Sequence, residues 1–397
     1  MKFDYFEESY YNKERCNAWE VCMIARVFDN LDKHLKKGKV LVLYGPRQVG
    51  KTTLLKKFLG ETRLKFRLDS GEDIRIASLF TSRIPERLVE YAGGYELIAI
   101  DEARRIPEIG LGLKMLIDNN PGLRVIVTGS SSFDLAGQVG EPLTGRKKTL
   151  TLFPVSQKEL AAGLNRFELK EKLEDFLIYG SYPEVITAES RAEKEETLRE
   201  LASSYLLKDI IAFERVKNSR VVLDLLRLLA FQIGNEVSLA ELAKKLGVDG
   251  KTVARYLDIL EKSFVIFRLC GFSKNLRKEV VKKNKYYFFD TGIRNALISN
   301  FNPLELRNDV GQLWENFLFI ERQKRQTYQP LPANNYFWRT WTQQEIDFVE
   351  ERGGTLSGYE AKFGDKAPPT PSLWLETYPK ASYEVINREN YLDFIIW

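Results

Sequence analysis

The chain has 397 residues, of which 44% are hydrophobic and 29% charged, a balance typical of folded domains and not of disordered or fibrous proteins. Its three cysteines and single histidine lack metal-ligand spacing, which argues against a zinc site or a Cys–His nucleophile pair and predicts reduced thiols in a cytoplasmic protein. No run of about 18 apolar residues occurs, and the first residues lack the apolar segment of a signal peptide, so we expect neither a membrane span nor secretion.

In chain order, residues 1–35 are predicted to be mostly helical, and residues 40–155 alternate apolar runs of strand length with helical patterns. The runs KVLVLYG, ELIAID and RVIVTG are continuous and rich in β-branched residues, as buried parallel strands require. Each run is followed by glycine or an acid and then by a helix. This order predicts an α/β fold in which a parallel sheet lies between two layers of helices.

A phosphate-binding motif lies between the first strand and its helix. Residues 45–52 read GPRQVGKT, which satisfies GxxxxGK[ST] in the strand-to-helix context that the motif requires. Backbone N–H groups of such a loop surround the β-phosphate, Lys51 reaches the β- and γ-phosphates, and Thr52 supplies a hydroxyl to Mg²⁺. The candidate binding residues for ATP and Mg²⁺ are Gly45, Pro46, Arg47, Gln48, Val49, Gly50, Lys51, Thr52, Thr53, Asp101 and Ser130.

The second predicted strand supplies two acids at its carboxyl end. Asp101 would orient Mg²⁺ together with Thr52, and Glu102 would polarise the attacking water. After the third strand, Thr128 or Ser130 is positioned to hold that water or the γ-phosphate. The alternative for Glu102 is a solvated acid at a strand end.

Six motifs are spread along almost the whole chain: GPRQVGKT, ELIAIDEARRIPE, VIVTGSSSFDL, LTGRKKTLTLFPVSQKEL, YGSYPEV and KYYFFDTG. Together they resemble a group of prokaryotic AAA-type ATPases that carry an additional C-terminal domain. The resemblance implies a P-loop AAA+ core and an arginine that completes the catalytic site. Arg146 is the candidate, in its own chain or from a neighbouring copy, and a structural arginine bonded to backbone is the alternative. Glutamine usually occupies the position of Arg104 in this group, which leaves open whether Arg104 and Arg105 contact nucleotide, substrate or a neighbouring subunit.

Residues 238–262 predict a helix-turn-helix. Ser238 and Glu241 have the spacing of a capping box for a helix that ends at Leu246. The residues GVDG turn the chain, and a second helix runs from Lys251 to Lys262.

The surrounding residues 217–285 are strongly basic, with 15 Lys and Arg against 7 Asp and Glu and hence a net charge of +8. In the second helix, Val253, Leu257 and Leu260 share the inward face. Strand-like residues 264–272 and 286–289 resemble the wing of a winged helix and flank Lys274, Arg277, Lys278, Lys282, Lys283 and Lys285. DNA is the expected partner, held through its phosphates, and an ATPase lid or a protein contact is the alternative. The candidate nucleic-acid contacts are Lys251, Thr252, Arg255, Lys274, Lys282 and Lys283.

The C-terminal residues contain a dispersed set of acids and a lysine. Glu315 lies in a helical pattern, Asp347 in the strand-like QEIDF, and Glu360 and Lys362 in EAK, where a spacing of two places them on one strand face. This order resembles the restriction-endonuclease-like nuclease fold. The resemblance implies that Asp347 and Glu360 hold Mg²⁺, with Glu315 as a further ligand, and that Lys362 positions the water. A non-cleaving recognition domain and a surface salt-bridge cluster are the alternatives.

These patterns divide the chain into a P-loop AAA ATPase core (1–155), a helical lid (156–217), a winged helix (218–300) and a restriction-endonuclease-like domain (301–397). We expect an ATP-binding and ATP-hydrolysing protein associated with nucleic acid. Its candidate catalytic residues are Lys51, Glu102, Arg146, Asp347, Glu360 and Lys362. The alternative is a signalling or scaffold ATPase that uses nucleotide as a switch and grips a protein partner or further copies of itself, with a non-catalytic C-terminal domain.

Overall fold

The computed structural model describes residues 24–129, 143–205, 218–273, 284–340, 344–364 and 368–396. Residues 1–23 of the predicted N-terminal helical region lie outside these ranges. The prediction is wrong for residues 24–35, whose only regular element is a 3-10 turn at Leu31–His34. Phe28 and Leu31 reach the core from turns instead of from one helix face. Within the described ranges, every helix is too short or too polar to cross a membrane.

Five parallel strands form the first sheet, in the order β2-β3-β4-β1-β5. They are β1 (Val40–Tyr44), β2 (Phe66–Ser70), β3 (Leu97–Asp101), β4 (Arg124–Gly129) and β5 (Lys147–Thr151). The inner strands β1, β3 and β4 are buried over almost their whole length, which explains their continuous apolar sequences. The parallel sheet and its three predicted strands are therefore confirmed.

Helices cover both faces of this sheet. Helix α1 (Lys51–Glu61) packs Leu54, Leu55 and Phe58 against one face. Helices on the other face form a second core with alternate residues of the same strands. They are α2 (Ile74–Thr81), α3 (Pro85–Ala92) and α4 (Ile109–Asn119). The three-layer arrangement brings the carboxyl ends of β1 and β3 to one edge, where the P-loop begins.

Short helices follow β5 in the region predicted as a lid. They are α5 (Gln157–Leu160), α6 (Arg166–Glu171), α7 (Leu173–Tyr179), α8 (Pro183–Thr187) and α9 (Arg191–Glu200), followed by a short π-helix at Leu201–Tyr205. Helix α5 begins with a complete capping box, in which Ser156 and Glu159 exchange side-chain and backbone hydrogen bonds.

The predicted helix-turn-helix consists of α11 (Leu239–Leu246) and α12 (Gly250–Lys262), preceded by α10 (Ser219–Phe231). Ser238 accepts the backbone N–H of Glu241, so α11 begins at the predicted cap. Val253, Leu257 and Leu260 are buried, as their spacing predicts. Three antiparallel strands accompany these helices: β6 (Glu236–Val237), β7 (Ile266–Gly271) and β8 (Asn284–Phe288).

A second, mixed sheet joins these strands to the C-terminal residues in the order β12-β11-β10-β9-β7-β8-β6. Its further strands are β9 (Asn334–Arg339), β10 (Glu345–Arg352), β11 (Thr355–Ala361) and β12 (Ser382–Ile386), and the accompanying helices are α13 (Thr291–Leu297), α14 (Val310–Tyr328), α15 (Ser372–Thr377) and α16 (Tyr391–Ile395). Strand β7 pairs in parallel with β9, so this one sheet contains strands from both sides of the domain boundary predicted between residues 300 and 301. The main hydrophobic core likewise extends from α1 to α16.

The last turns of α14 also bind the segment that follows β5. The backbone N–H of Phe153 donates to the Tyr328 hydroxyl at 3.1 Å, and that of Gln157 donates to the Glu321 carboxylate at 2.8 Å. These two hydrogen bonds connect α14 to residues 153–157, which follow the last strand of the P-loop sheet.

Candidate functional site

The P-loop turns the chain from β1 into α1 at the carboxyl edge of the first sheet. Gly45 has a φ of 145°, and a Cβ at this position would lie 2.0 Å from the carbonyl oxygen of Leu152, so only glycine fits. Gln48 and Gly50 have left-handed φ values of 57° and 91°. Such a backbone directs successive N–H groups into a concavity that suits an anion. The remaining predicted loop residues Pro46, Arg47 and Val49 lie in this turn, and Thr53 lies in the first turn of α1.

The side chains at the start of α1 meet the end of β3. Lys51 is only 6% exposed, and its Nζ donates to the carbonyl oxygens of Gly45 at 2.9 Å and Pro46 at 2.5 Å. The Thr52 hydroxyl donates to the Asp101 carboxylate, with Oγ1 to Oδ2 at 2.9 Å and to Oδ1 at 3.1 Å. A hydroxyl and a carboxylate in contact are hard oxygen donors of the kind that Mg²⁺ prefers. The two predicted halves of the site are therefore in contact.

Thr128 completes this arrangement from the end of β4. Its buried hydroxyl donates to Asp101 Oδ1 and accepts the backbone N–H of Glu102 at 3.0 Å. Glu102 has a left-handed φ of 49°, a strained value for a non-glycine residue of the kind found at functional sites. Its carboxylate accepts a hydrogen bond from Nε–H of Arg104 at 2.9 Å. Arg104 therefore contacts the predicted base, and Ser130, the other predicted polar group, lies outside the described residues.

Arg146 lies at the opposite edge of the sheet. It directly precedes β5, whose Lys147 is in register with Val40 at the start of β1, and the P-loop follows the far end of β1. The intervening strand length is roughly 15 Å at 3.3 Å per residue. Arg146 instead pairs with Asp118. The prediction that Arg146 acts on nucleotide in its own chain is therefore wrong, and a contribution to a neighbouring copy stays a prediction.

The predicted nucleic-acid contacts on α12 divide into two kinds. Lys251 and Arg255 are exposed on its outer surface. Thr252 instead bonds to the helix cap, because its N–H and its hydroxyl both donate to the carboxylate of the N-cap residue Asp249, at 2.8 Å and 2.7 Å. Lys274, Lys282 and Lys283 lie outside the described residues.

A buried lysine occupies the C-terminal acidic cluster. Lys285 is 2% exposed, and its Nζ lies 2.5 Å from Glu345 Oε1, 3.4 Å from Glu315 Oε1 and 4.0 Å from Asp347 Oδ1. Because side chains alternate along β8, Lys285 shares a face with Tyr287, whose hydroxyl also donates to Glu315. The interpretation of Lys285 as part of an outer basic wing is therefore wrong.

The other predicted residues lie beside this lysine. Asp347 Oδ2 accepts the backbone N–H of Ala361 at 3.0 Å, and Lys362 Nζ lies 2.8 Å from Glu360 Oε1. Glu360 Oε2 is buried and accepts no hydrogen bond from the described residues. Together Glu315, Asp347 and Glu360 line a cavity of about 20 Å³, enough for one water molecule.

The geometry of these acids differs from a complete metal site. In the described parts of the chain, no three His, Cys, Asp or Glu side chains are arranged to hold a metal ion. Glu315 lines the same cavity as Asp347 and Glu360, but its carboxylate already contacts the Lys285 ammonium and the Tyr287 hydroxyl. The three carboxylates are nevertheless largely buried, whereas Lys362 is 41% exposed, so a surface salt-bridge cluster describes only the Lys362 end of the group.

Burial and mutual repulsion raise the pKa values of the acids in the cluster. Burial, and then the charge of Asp347, raise the pKa of Glu315 to about 8 against the opposing effect of Lys285. Burial also raises the pKa of Asp347 and of Glu360. Burial alone would lower the pKa of Lys285, but the surrounding carboxylates of Glu315, Asp347 and Glu345 raise it above its ordinary value. Lys285 is therefore a permanent cation inside the cluster.

Arg26, whose guanidinium contacts the P-loop and Glu159, is absent from the residues that the sequence predicts for the site. Its partners Val49 and Glu159 are 23 and 133 residues away in the sequence, so no local sequence pattern indicates these contacts. For Lys285 a weak signal exists, because this lysine alternates with Tyr287 in an otherwise apolar strand.

Comparison with protein families divides the chain into three matches. Residues 37–161 match an AAA domain, residues 170–304 match a domain of unknown function (DUF8612), and residues 310–381 match another domain of unknown function (DUF4143). The first match coincides with the parallel sheet and its P-loop.

Relatives extend the similarity beyond the first domain. An uncharacterized protein of Mycobacterium tuberculosis is 28% identical over 360 residues, covering 89% of this chain and 76% of the relative. An uncharacterized protein of Methanocaldococcus jannaschii is 23% identical over 350 residues, covering 83% and 76%. The solved protein VC1899 from Vibrio cholerae is 11% identical over 89% of this chain and 96% of that chain, with a TM-score of 0.18, which carries no argument about fold. Residues 37–161 are thus similar to AAA domains, which implies a nucleotide-binding site, and the contacts of Lys51, Thr52 and Asp101 lie within this match or at its P-loop.

Proposed function

We propose that this chain is an Mg²⁺-dependent ATPase that acts in association with DNA. The observation that carries the ATPase proposal is the hydrogen-bonded chain of Thr52, Asp101 and Thr128 beside the buried Lys51. It joins a hydroxyl and a carboxylate suited to Mg²⁺ with an ammonium suited to phosphate.

Each residue has a role that follows from its contacts. Lys51 would exchange two uncharged carbonyl partners for phosphate oxygens, which are stronger acceptors because they are charged. Thr52 and Asp101 would hold Mg²⁺, whose charge would offset that of the phosphates. Glu102 would accept a proton from the attacking water once its carboxylate leaves Arg104.

Steady-state ATP hydrolysis tests the catalytic base. We expect Glu102→Gln to bind ATP normally and to lower turnover roughly 10²–10⁴-fold, as removal of a general base does. Arg105→Gln is the matched control, because Arg105 is a neighbouring exposed residue that pairs with Glu72 instead of Glu102. Wild-type turnover in Glu102→Gln would contradict the assignment.

The DNA part of the proposal depends on charge and exposure. Residues 217–285 carry a net charge of +8, and Lys251 and Arg255 extend from the second helix of a helix-turn-helix into solvent. We expect double-stranded or single-stranded DNA to change the ATPase rate, and high salt to remove the effect. A rate that is indifferent to DNA and stimulated by a protein partner would support a signalling or scaffold ATPase instead.

A second candidate function, metal-dependent cleavage of nucleic acid, is favoured by one observation. Glu360 Oε2 is a buried carboxylate oxygen without a hydrogen bond from the described residues, and it belongs to a cavity that Asp347 also lines. A divalent cation bound by these two acids would relieve their repulsion, and Lys362 would face the scissile phosphate. The ammonium of Lys285 argues against this function, since it already supplies positive charge.

Calorimetry with Mn²⁺ and a nicking assay distinguish these possibilities. If the acids hold a metal, Asp347→Ala abolishes the Mn²⁺ binding measured without nucleotide, while Lys362→Ala retains it and removes cleavage. Absence of both Mn²⁺ binding and nicking in the wild-type protein would make the C-terminal region a non-cleaving relative and would leave the ATPase proposal intact.

A further inference from the structure

Arg26 is a buried arginine that joins the P-loop to the segment after β5. Its guanidinium donates from Nη1 to the carbonyl oxygen of Val49 at 2.5 Å, from Nη2 to that of Phe153 at 2.6 Å, and from Nε to Glu159 Oε1 at 2.8 Å. The side chain is only 7% exposed. The planar fork of an arginine is the side chain that can serve three such acceptors at once.

Glu159 fixes this arginine in place. Besides Arg26, its Oε1 accepts the backbone N–H of Val27 at 2.9 Å, and its Oε2 accepts both the N–H and the hydroxyl of Ser156 at 2.8 Å and 2.9 Å. Both carboxylate oxygens are therefore engaged by donors from two segments, and the carboxylate is buried. Because both oxygens of the buried Glu159 carboxylate accept hydrogen bonds, this carboxylate has little freedom to move. The guanidinium of Arg26, which donates to it, therefore has a defined position.

The consequence for the P-loop follows from peptide geometry. The carbonyl of Val49 and the N–H of Gly50 belong to one planar trans peptide unit, so the two groups point in opposite directions. Because Arg26 holds the carbonyl, the N–H of Gly50 must point away from Arg26. A Cβ on Gly50 would lie 3.6 Å from Arg26 Nη1, which shows how closely the guanidinium underlies this unit.

From this geometry we infer that Arg26 is a positioning residue of the nucleotide site. It holds the Val49–Gly50 peptide so that the Gly50 N–H is presented to the β-phosphate before nucleotide arrives. The inference rests on the proposed nucleotide binding and deepens it by assigning a residue that acts through the backbone. Arg26 itself would not touch the nucleotide.

The test measures binding of ADP and AMP with Mg²⁺ by calorimetry in the wild-type protein, Arg26→Lys and Glu159→Gln. Lysine retains the charge beside Glu159 but cannot reproduce the fork. We expect Arg26→Lys to weaken ADP roughly 10-fold, the size of one hydrogen bond to a charged group, and to leave AMP affinity unchanged because AMP lacks the β-phosphate. Glu159→Gln should give a smaller loss in the same direction, and it serves as the informative variant if Arg26→Lys does not fold.

A matched control separates positioning from general stability. Arg294 is also buried, and it donates to the carbonyl oxygen of Ala230 at 2.8 Å and pairs with Asp309, far from the P-loop in sequence. Arg294→Lys should lower the melting temperature comparably and leave ADP affinity unchanged. Wild-type ADP affinity in both Arg26→Lys and Glu159→Gln, or an equal loss for ADP and AMP, would overturn the inference. If wild-type protein bound no ADP, or if Lys51→Ala bound it normally, the proposed function would fail instead.

Discussion

Two buried lysines, Lys51 in the P-loop and Lys285 in the C-terminal cluster, have opposite surroundings. Lys51 donates to the uncharged carbonyl oxygens of Gly45 and Pro46, whereas Lys285 lies among the carboxylates of Glu345, Glu315 and Asp347. Carbonyl groups are weaker partners for an ammonium than anions are. Lys51 therefore gains by transfer to a phosphate, but Lys285 could leave its position only by stranding buried carboxylates.

Equal burial and equal charge of two lysines therefore do not indicate equal function. A lysine held by dipoles is ready to bind an anionic ligand, and a lysine held by anions already completes a structural charge pair. Four predictions test this distinction.

Removal of the Lys285 charge should have the largest effect on the free energy of unfolding. Lys285→Met keeps the length of the side chain but leaves Glu315, Glu345 and Asp347 without their shared cation, which should cost about 3–5 kcal/mol. Lys362→Met, in the same cluster but more exposed, should cost under ~1 kcal/mol. Urea denaturation measures both, and equal losses would show that Lys285 is not the central cation.

Removal of the Lys51 charge should affect ligand chemistry more than folding. Lys51→Ala should lower kcat/KM for ATP roughly 10²–10³-fold, the size found when one donor to a developing anion is lost. The free energy of unfolding without nucleotide should change less than in Lys285→Met, because the contacts of Lys51 with Gly45 and Pro46 are to carbonyl oxygens and not to buried carboxylates. If instead Lys51→Ala destabilised the protein as much as Lys285→Met, the assignment of Lys51 to ligand binding and of Lys285 to stability would be contradicted.

Titration of Glu315 should make the C-terminal cluster sensitive to pH. The folded-state pKa of Glu315 is raised to about 8 from an ordinary value of 4.5, mainly by burial. Between these values the folded protein retains a proton that the unfolded chain has released, so the free energy of unfolding falls as pH rises through this window. Glu315→Gln removes this titration and should flatten the fall when unfolding is measured in EDTA from pH 5 to 8. An unchanged slope would mean that Glu315 is ionised throughout.

The smallest effect should come from the exposed cations Lys251 and Arg255. Replacing Lys251 and Arg255 by Gln should change the free energy of unfolding by under ~0.5 kcal/mol. It should reduce the slope of log DNA affinity against log salt by roughly 2, because two phosphate contacts are lost. The matched control replaces the exposed Lys36 and Lys37 and should leave the slope unchanged. Identical slopes in both double variants would exclude this helix as the DNA contact.

The P-loop was predictable because its determinants are local. Eight consecutive residues, a strand before them and a helix after them specify the turn, and Asp101 follows from the end of a second apolar strand. The position of Arg146 was not predictable in this way, since its motif gives no indication of which sheet edge it occupies. That depends on the register of β5 with β1, and Lys147 pairs with Val40.

The C-terminal cluster was predicted only in part because it is assembled from four segments. Glu315, Asp347 and Glu360 do converge, but the inward lysine comes from β8, in a region whose composition indicates a basic surface. Composition describes a segment as a whole, whereas strand alternation turns one particular lysine inward. The same limitation hid Arg26, whose partners come together only in the folded chain.

The contacts of α14 also affect the order in which the protein matures during synthesis. Tyr328 and Glu321 bond to Phe153 and Gln157, which follow the last strand of the P-loop sheet. They are 175 and 164 residues beyond these partners in the chain. At a translation rate of about 5–20 residues per second, these partners emerge from the ribosome roughly 10–30 s apart. A nascent chain therefore contains the whole P-loop motif well before it contains the helix that secures it. We expect tight nucleotide binding to be acquired only after α14 has been released, although the phosphate-binding residues are among the first to be synthesised.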